Sequence, residues 1–398
     1  MRGGGGRRGV GCRARSRRRH PGRVVATTGP ASSPVAADPP AASGPSGRPT
    51  TGRVVLGPIV RSIRYLAREA LHLPDPQAGW IVPALRAFRR TGPGWTPDVI
   101  LATGPPFSVF VVAAALARRH GAPWVADYRD LWTVGNEYWA HGRSRLRRLL
   151  DHRLERRLLR TVSRCVTVSE PLARSVRAAF GVRTDVVMNG IDRQPTTPAG
   201  GAARAALGVP PGTLLLAHTG LLYPGRRDPT PLLRALSLLG AERQQVHVVL
   251  AGPETGVAGA AVTRCGVAEL VSVTGRVTAA ESWQLQAEAD VLVLLMWDDP
   301  RDAGTVPGKL FDYLRARRPI LAIGCADGVA ADLVRSRGAG VVLNDPVEIA
   351  DRLRTWLTEK RTTGQVAALP GSALDGLYRE DRMRAYVELL GAVVAARR

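Results

Sequence analysis

Apolar residues recur along this chain in two alternating modes. Short unbroken apolar runs read as buried strands, and the stretches between them carry apolar residues at helical spacing. In the first half the strands are 98–103, 123–127, 165–169 and 185–188, separated by helices over 108–120, 143–161 and 170–180. Upstream, 54–71 and 79–90 read as helices broken by Leu73-Pro-Asp-Pro-Gln77, and 23–28 as a short strand. In the second half strands fall at 214–219, 246–251, 271–274, 291–296, 320–323 and 341–343, with helices over 229–239, 279–287, 309–315 and 346–357. Two blocks of strand–helix alternation predict an α/β fold with two Rossmann-like parallel-sheet domains. The expected division is a basic low-complexity stretch over 1–53, a first domain over 54–192 and a Pro/Thr/Gly/Ala linker over 193–203. A second domain over 204–360 follows, with a helical tail over 361–398 expected to pack back on the first.

Composition narrows this picture. A hydrophobic share of 45% supports two cores, and the formal net charge of +23 points to an anionic partner. Residues 1–64 and 141–164 together hold twenty-two arginines against three acids, nineteen of the net charges, so the rest of the chain is near neutral. Cys12, Cys165, Cys265 and Cys325 form no C-x-x-C pair, which argues against a zinc site and fits a reducing cytoplasm. No apolar run is long enough to span a bilayer, and the basic start lacks the apolar core of a secretory signal.

Parallel sheets take ligands at the carboxyl ends of their strands, where this chain places Gly104, Gly220, Gly252, Gly275 and Gly324. Lys309 is one of only two lysines, the other being Lys360. It stands in Gly304-Thr-Val-Pro-Gly-Lys-Leu-Phe-Asp312-Tyr313, between a strand and a helix start, a place suited to phosphate. An ordinary exposed helix lysine is the plainer reading. Gly220-Leu-Leu-Tyr-Pro-Gly-Arg226-Arg227 sets two guanidiniums beside a similar turn, either a phosphate contact or a solvated loop. The backbone of Gly275-Arg276-Val277 is placed to meet a base edge. Asp312, three residues after Lys309, is either a ribose-binding carboxylate or half of a surface pair. In the basic helix over 143–164, leucines 146, 149, 150, 154, 158 and 159 form a stripe. It reads as a core-packed helix with a solvated basic face, or as a peripheral contact with an anionic membrane.

These blocks resemble family-4 retaining glycosyltransferases of the GT-B architecture, in which two Rossmann-like domains face across a cleft. The likeness is to members that act on bacterial surface polysaccharides, and it covers roughly residues 70 to 360. Its most specific part is Thr305-Val-Pro-Gly-Lys-Leu-Phe-Asp312-Tyr-Leu with Arg318-Pro-Ile-Leu321, joined by Leu250-Ala-Gly-Pro253 and Val273-Thr-Gly-Arg-Val277. The first half matches through Thr103-Gly-Pro-Pro-Phe107, Trp124-Val-Ala-Asp-Tyr-Arg-Asp-Leu-Trp132, Val168-Ser-Glu170 and Asn189-Gly-Ile-Asp192. The resemblance implies a nucleotide diphosphate sugar donor, a glycan or lipid-linked acceptor, no cofactor and no essential metal. It implies donor binding by Gly220, Arg226, Arg227, Arg276, Val277, Thr305, Gly308, Lys309, Leu310 and Asp312, and places Arg129 and Asp130 near the reacting centre, where an ion pair shaping a loop is the alternative.

Three departures stand out. Asp312 replaces a glutamate one methylene longer, and Gly304 stands where many members carry a second glutamate. The start has glycines but no apolar strand before them, unlike the strand and glycine-rich loop that open this architecture, so the first domain is expected to be incomplete, and a misplaced start or shifted frame is one explanation. A sugar-nucleotide epimerase of the same architecture would need cleft carboxylates that the chain does not offer clearly. Nucleic-acid binding is disfavoured because the basic tail lacks interleaved aromatics.

Overall fold

The computed structural model describes residues 72–90, 95–135, 138, 143–193 and 200–397. The expected strand over 23–28, the helix over 54–71 and the basic stretch 1–53 lie outside the described residues. Two parallel sheets form, as the alternation demands. The first has four strands in the order β1 (Ile100–Gly104), β2 (Trp124–Tyr128), β3 (Arg164–Thr167) and β4 (Thr184–Val186). Ala102, Ala126, Cys165 and Thr184 lie in one register across it. Its helices are α1 (Ile81–Arg89), α2 (Ser108–His120), α3 (Arg145–Leu159) and α4 (Glu170–Phe180).

The second sheet has six strands: β5 (Leu214–Thr219), β6 (Val246–Ala251), β7 (Val271–Gly275), β8 (Val291–Leu295), β9 (Ile320–Ile323) and β10 (Gly340–Val342). Their order is β10-β9-β8-β5-β6-β7. Its helices are α5 (Ala202–Ala206), α6 (Thr230–Leu238), α7 (Thr255–Cys265), α8 (Ala279–Glu288), α9 (Gly308–Ala316), α10 (Val329–Ser336) and α11 (Pro346–Thr363). Alternate residues serve opposite faces. Leu214, Leu216, Val248 and Val293 enter one core, and Leu215, Ala217, Val249 and Leu292 the other. Strands buried on both faces must read as continuous apolar runs, and these do.

The last helix, α12 (Arg379–Ala395), crosses back to the first sheet. Tyr386 and Val393 pack on Val125, Val166 and Val187 and close that sheet's second face. The outgoing and returning segments pair where they cross: Ile191 N–H donates to Leu377 O (2.8 Å) and Arg379 N–H to Ile191 O (2.9 Å). The carboxyl ends of the sheets meet as well. Ser169, just past β3, donates its hydroxyl to Gly304 O at 2.6 Å, past β8. A Cβ on Gly304 would lie 2.8 Å from Leu172 Cδ2 and 3.3 Å from Pro171 Cβ, so the missing side chain permits this approach.

Helix α3 departs from the sequence expectation. Its period is helical, but its inward face holds Arg147, Asp151 and Glu155 together with Leu158 and Leu159. Leu146, Leu149 and Leu150 are exposed (54%, 46% and 38%). Buried hydrogen bonds explain the choice. Asp151 accepts from Arg147 Nε and Tyr138 Oη, both at 2.8 Å, and Arg147 also donates to the carbonyls of His72 and Pro74. Glu155 accepts from Tyr128 Oη (2.9 Å), Thr133 N–H (3.1 Å) and the Thr133 hydroxyl.

Burial pushes the Glu155 carboxyl up from 4.5 to about 7 despite these donors. Native protein then binds more protons than unfolded chain between those values, so stability should fall as pH rises from about 4.5 through about 7. Glu155→Gln should flatten that fall in urea titrations across the window; an unchanged slope would exclude Glu155 as its source.

Candidate active site

The order of the second sheet reverses between β5 and β8, and ligands of open α/β sheets bind at the carboxyl ends beside such a switch. Helix α9 starts there. Leu310, Phe311, Tyr313 and Leu314 form its buried face and fix it on the sheet. Thr219 N–H donates to Tyr313 Oη at 3.0 Å, tying the end of β5 to α9. Among the described residues no side chain caps the helix N-terminus, and space is open beside Gly308, leaving backbone N–H groups and the positive end of the dipole toward the crevice.

Lys309 lies across this point. Its Nζ is shut off from solvent and has no hydrogen-bond partner among the described residues. A Cβ on Gly220 would collide with that Nζ, so glycine is required where the ammonium passes, and its φ of 141° suits no other residue. Burial first, then the nearby Arg227 guanidinium, lowers the Lys309 ammonium from 10.5 to about 7. Lys360 gives the contrast: also buried at its amino group, its Nζ meets Asp290 Oδ2 at 2.6 Å, and Arg204 joins the same oxygen.

His218 belongs to the cluster and was not foreseen from the sequence. It is fully buried on β5, and its Nδ1 lies 2.9 Å from Val293 O. A carbonyl only accepts, so Nδ1 carries the proton and Nε2 is the bare nitrogen. That Nε2 is buried without a hydrogen-bond partner among the described residues, and a Cβ on Gly220 would sit 4.0 Å from it. Burial, then the Lys309 charge, holds the imidazole well below its usual range, so it is neutral. A lone imidazole inside the apolar run Leu214–Thr219 was the signal available in the sequence. Trp297, next to β8, was also missed; Arg226 and Arg301 stack on its ring at 4.5 and 4.7 Å.

The remaining expected positions are placed unevenly. Leu310 is buried in the core, and its N–H is given to Pro307 O. Thr305 is half-buried, with its N–H on Asp302 O. Arg276 is exposed beyond β7, two strands from β5, beside the half-buried Val277. Asp312 makes no pair with Lys309; it lies 3.9 Å from Arg315 and is half exposed. Burial raises its carboxyl, with Asp192 adding to the rise and Arg315 and Arg379 opposing it. Arg129 is committed to Asp127 (2.8 Å), Asn189 (2.9 Å) and Tyr386 (3.2 Å), the geometry of an ion pair holding the crossing segments. Asp130 is exposed at the end of β2. Among the described residues no group of three His, Cys, Asp or Glu side chains is placed to hold a metal ion.

Comparisons with known proteins converge on this architecture. The model of Glycosyltransferase Family 4 matches residues 15–194, reaching into the basic start, and that of Glycosyl transferases group 1 matches residues 214–359. No curated protein matches the chain in sequence. Among solved structures, Anabaena HepE in complex with UDP and glucose is similar at 19% identity and a TM-score of 0.61, over 81% of this chain and 83% of that one. Sucrose-phosphate synthase from Thermosynechococcus elongatus is similar at 16% identity and 0.58, over 81% and 80%. An alpha,alpha-trehalose-phosphate synthase (UDP-forming) from Burkholderia vietnamiensis is similar at 14% and 0.54, over 81% and 78%. With both halves matched by glycosyltransferase families and the two-sheet architecture shared with these structures, the chain belongs to the family-4-like glycosyltransferases of the GT-B fold.

Proposed function

We propose that this glycosyltransferase moves a sugar from a uridine diphosphate sugar to a glycan or lipid-linked acceptor, with retention of anomeric configuration and without an essential metal. The observation that carries the reading is the buried, unpartnered Lys309 ammonium between Gly220 and the start of α9. A buried cation without a counterion is costly, and a diphosphate would supply the missing charge. Arg227 adds a second positive charge beside it, and the α9 N-terminus adds backbone donors. Together they oppose the negative charge that gathers on the departing diphosphate as the sugar–oxygen bond breaks, the kind of stabilisation that lowers a transition state. The UDP and UDP-glucose held by HepE support uridine as the base. Asp312 is assigned to the ribose and the Gly275-Arg276-Val277 turn to the base. Peripheral contact with an anionic membrane belongs to the same reading.

Lys309→Ala should weaken UDP binding about 30-fold in calorimetry, from the roughly 2 kcal/mol of a charge-assisted hydrogen bond. Lys360→Met should lower the melting temperature and leave UDP affinity alone; the opposite pattern would move the anion site to Lys360 and its neighbour Arg204. NMR of the product should show the donor's anomeric configuration, and EDTA should leave turnover intact. Inversion or loss with EDTA would each overturn the corresponding part.

The Lys309 ammonium at about 7 adds a pH dependence. Binding a diphosphate requires the charged form, so above about 7 a proton must be taken up with the ligand. UDP affinity should fall as pH rises through 7, by up to about tenfold per unit. His218 is neutral there and adds no opposing slope. Lys309→Arg should bind UDP with little pH dependence between 7 and 9; a slope equal to that of the parent would assign the titration elsewhere.

A further inference from the structure

We propose that His218 is a positioning residue for the donor diphosphate: its bare Nε2 accepts one N–H of the Lys309 ammonium and leaves the other two for phosphate oxygens. The inference rests on the donor-binding reading of Lys309 and adds a residue to it. Two buried groups carry it. Among the described residues, His218 Nε2 is a lone pair without a donor, and Lys309 Nζ is a set of N–H groups without an acceptor. Both lie against Gly220, where a Cβ would collide with Nζ and sit 4.0 Å from Nε2. Each supplies what the other lacks. The pair forms no hydrogen bond as it stands, and the flexible lysine stem can swing the ammonium toward the ring.

The ring's other neighbours do not compete. Val293 O, from β8, accepts from Nδ1–H at 2.9 Å and fixes the tautomer that leaves Nε2 bare. The Leu221 carbonyl can only accept. The Tyr313 hydroxyl, from α9, is engaged with Thr219. Gln286, from α8, gives its amide to Thr219 and Ser282. The charged groups acting on the pair are Lys309 itself and Arg227 from the turn after β5; both are cations and keep the imidazole neutral, hence able to accept. Packing alone gives no reason for histidine in the apolar run Leu214–Thr219, since an unsatisfied ring nitrogen is costly to bury. A line of fixed polarity thus runs from the β8 backbone through imidazole and ammonium to the diphosphate, across the switch between β5 and β8.

The test compares UDP affinity by calorimetry between pH 6 and 9 in the parent, His218→Leu and His218→Gln. Losing the acceptor disfavours the charged amine, so its midpoint moves down from about 7. His218→Leu should bind UDP about tenfold more weakly than the parent at pH 8 and come within about threefold of it at pH 6; UDP's own titration cancels in the ratio. His218→Gln, whose amide oxygen accepts, should return to within about threefold of the parent at pH 8. With Lys309→Arg, adding His218→Leu should leave the pH profile flat, because a guanidinium stays charged. Equal profiles for His218→Leu and the parent would overturn the proposal and leave Lys309 as the diphosphate's partner. A Lys309→Ala variant that keeps UDP affinity would overturn both. A loss that is independent of pH, or that persists beside Lys309→Ala, would reduce His218 to packing and overturn the proposal as well. If the leucine variant fails to fold, ring ¹⁵N NMR decides: Lys309→Ala should move the His218 Nε2 signal toward that of a nitrogen with no hydrogen bond, and an unmoved signal would overturn the proposal.

Discussion

A buried ammonium with no counterion among the described residues governs the carboxyl edge of the second sheet. The chain has two lysines, and the fold buries both amino groups. Lys360 is neutralised by Asp290, which also accepts from Arg204 and from Leu215 N–H, so this carboxylate anchors α11 and β5 together. Among the described residues Lys309 receives nothing comparable and is pressed further by the Arg227 guanidinium. Around it the backbone is arranged at some cost. Gly220 holds a φ that only glycine accepts readily, and Gly252 lacks the side chain that would strike Gly220 O. Such unrelieved charge in a rigid frame is the arrangement expected of a site completed by an anion.

Polar contacts between the domains add to the apolar packing of the returning helix on the first sheet. Ser169 and Gly304 join the sheet ends, and the paired crossing segments at Ile191 and Arg379 form the floor between the domains. Arg129 links β2, Asn189 and Tyr386 of the last helix, so a residue at the carboxyl end of a first-domain strand senses both the outgoing and the returning chain. Removing the Cβ at 304 is what lets Leu172 approach; a glutamate there would meet Pro171 and Leu172 before it met a ligand.

The central strands were legible because both of their faces are buried, which leaves short apolar runs that end at glycine or polar residues. Helix α7 was not, since Thr255–Cys265 is rich in glycine and alanine and shows little contrast between faces. Helix α5 forms at the end of the segment read as a linker, held by Arg204 on Glu288 and Asp290, partners more than eighty residues away. The phase of α3 was unreadable for a similar reason. Two stripes, 146/149/150 and 147/151/155, share the helical period, and the hydroxyls of Tyr128, Thr133 and Tyr138 decide which turns inward. Lys309 could be found from its glycine-flanked position; His218 could not be given a role until β5 and β8 were neighbours.

On the donor-binding reading, the two departures from the family pattern act in one direction. Shortening the residue at 312 and deleting the side chain at 304 both withdraw carboxylate from the donor side. What remains beside the crevice is cationic or backbone: Lys309, Arg227, Arg226 held on Trp297, and the uncapped start of α9. Cations and N–H groups grip phosphates and tell little about hydroxyl stereochemistry. Sugar recognition then has to come from across the cleft, and the first-domain atoms that reach position 304 belong to Ser169, Pro171 and Leu172. These sit at the start of α4, whose approach depends on how the domains close. Selectivity for the sugar would therefore be tied to closure, while affinity for the nucleotide is set within the second domain alone.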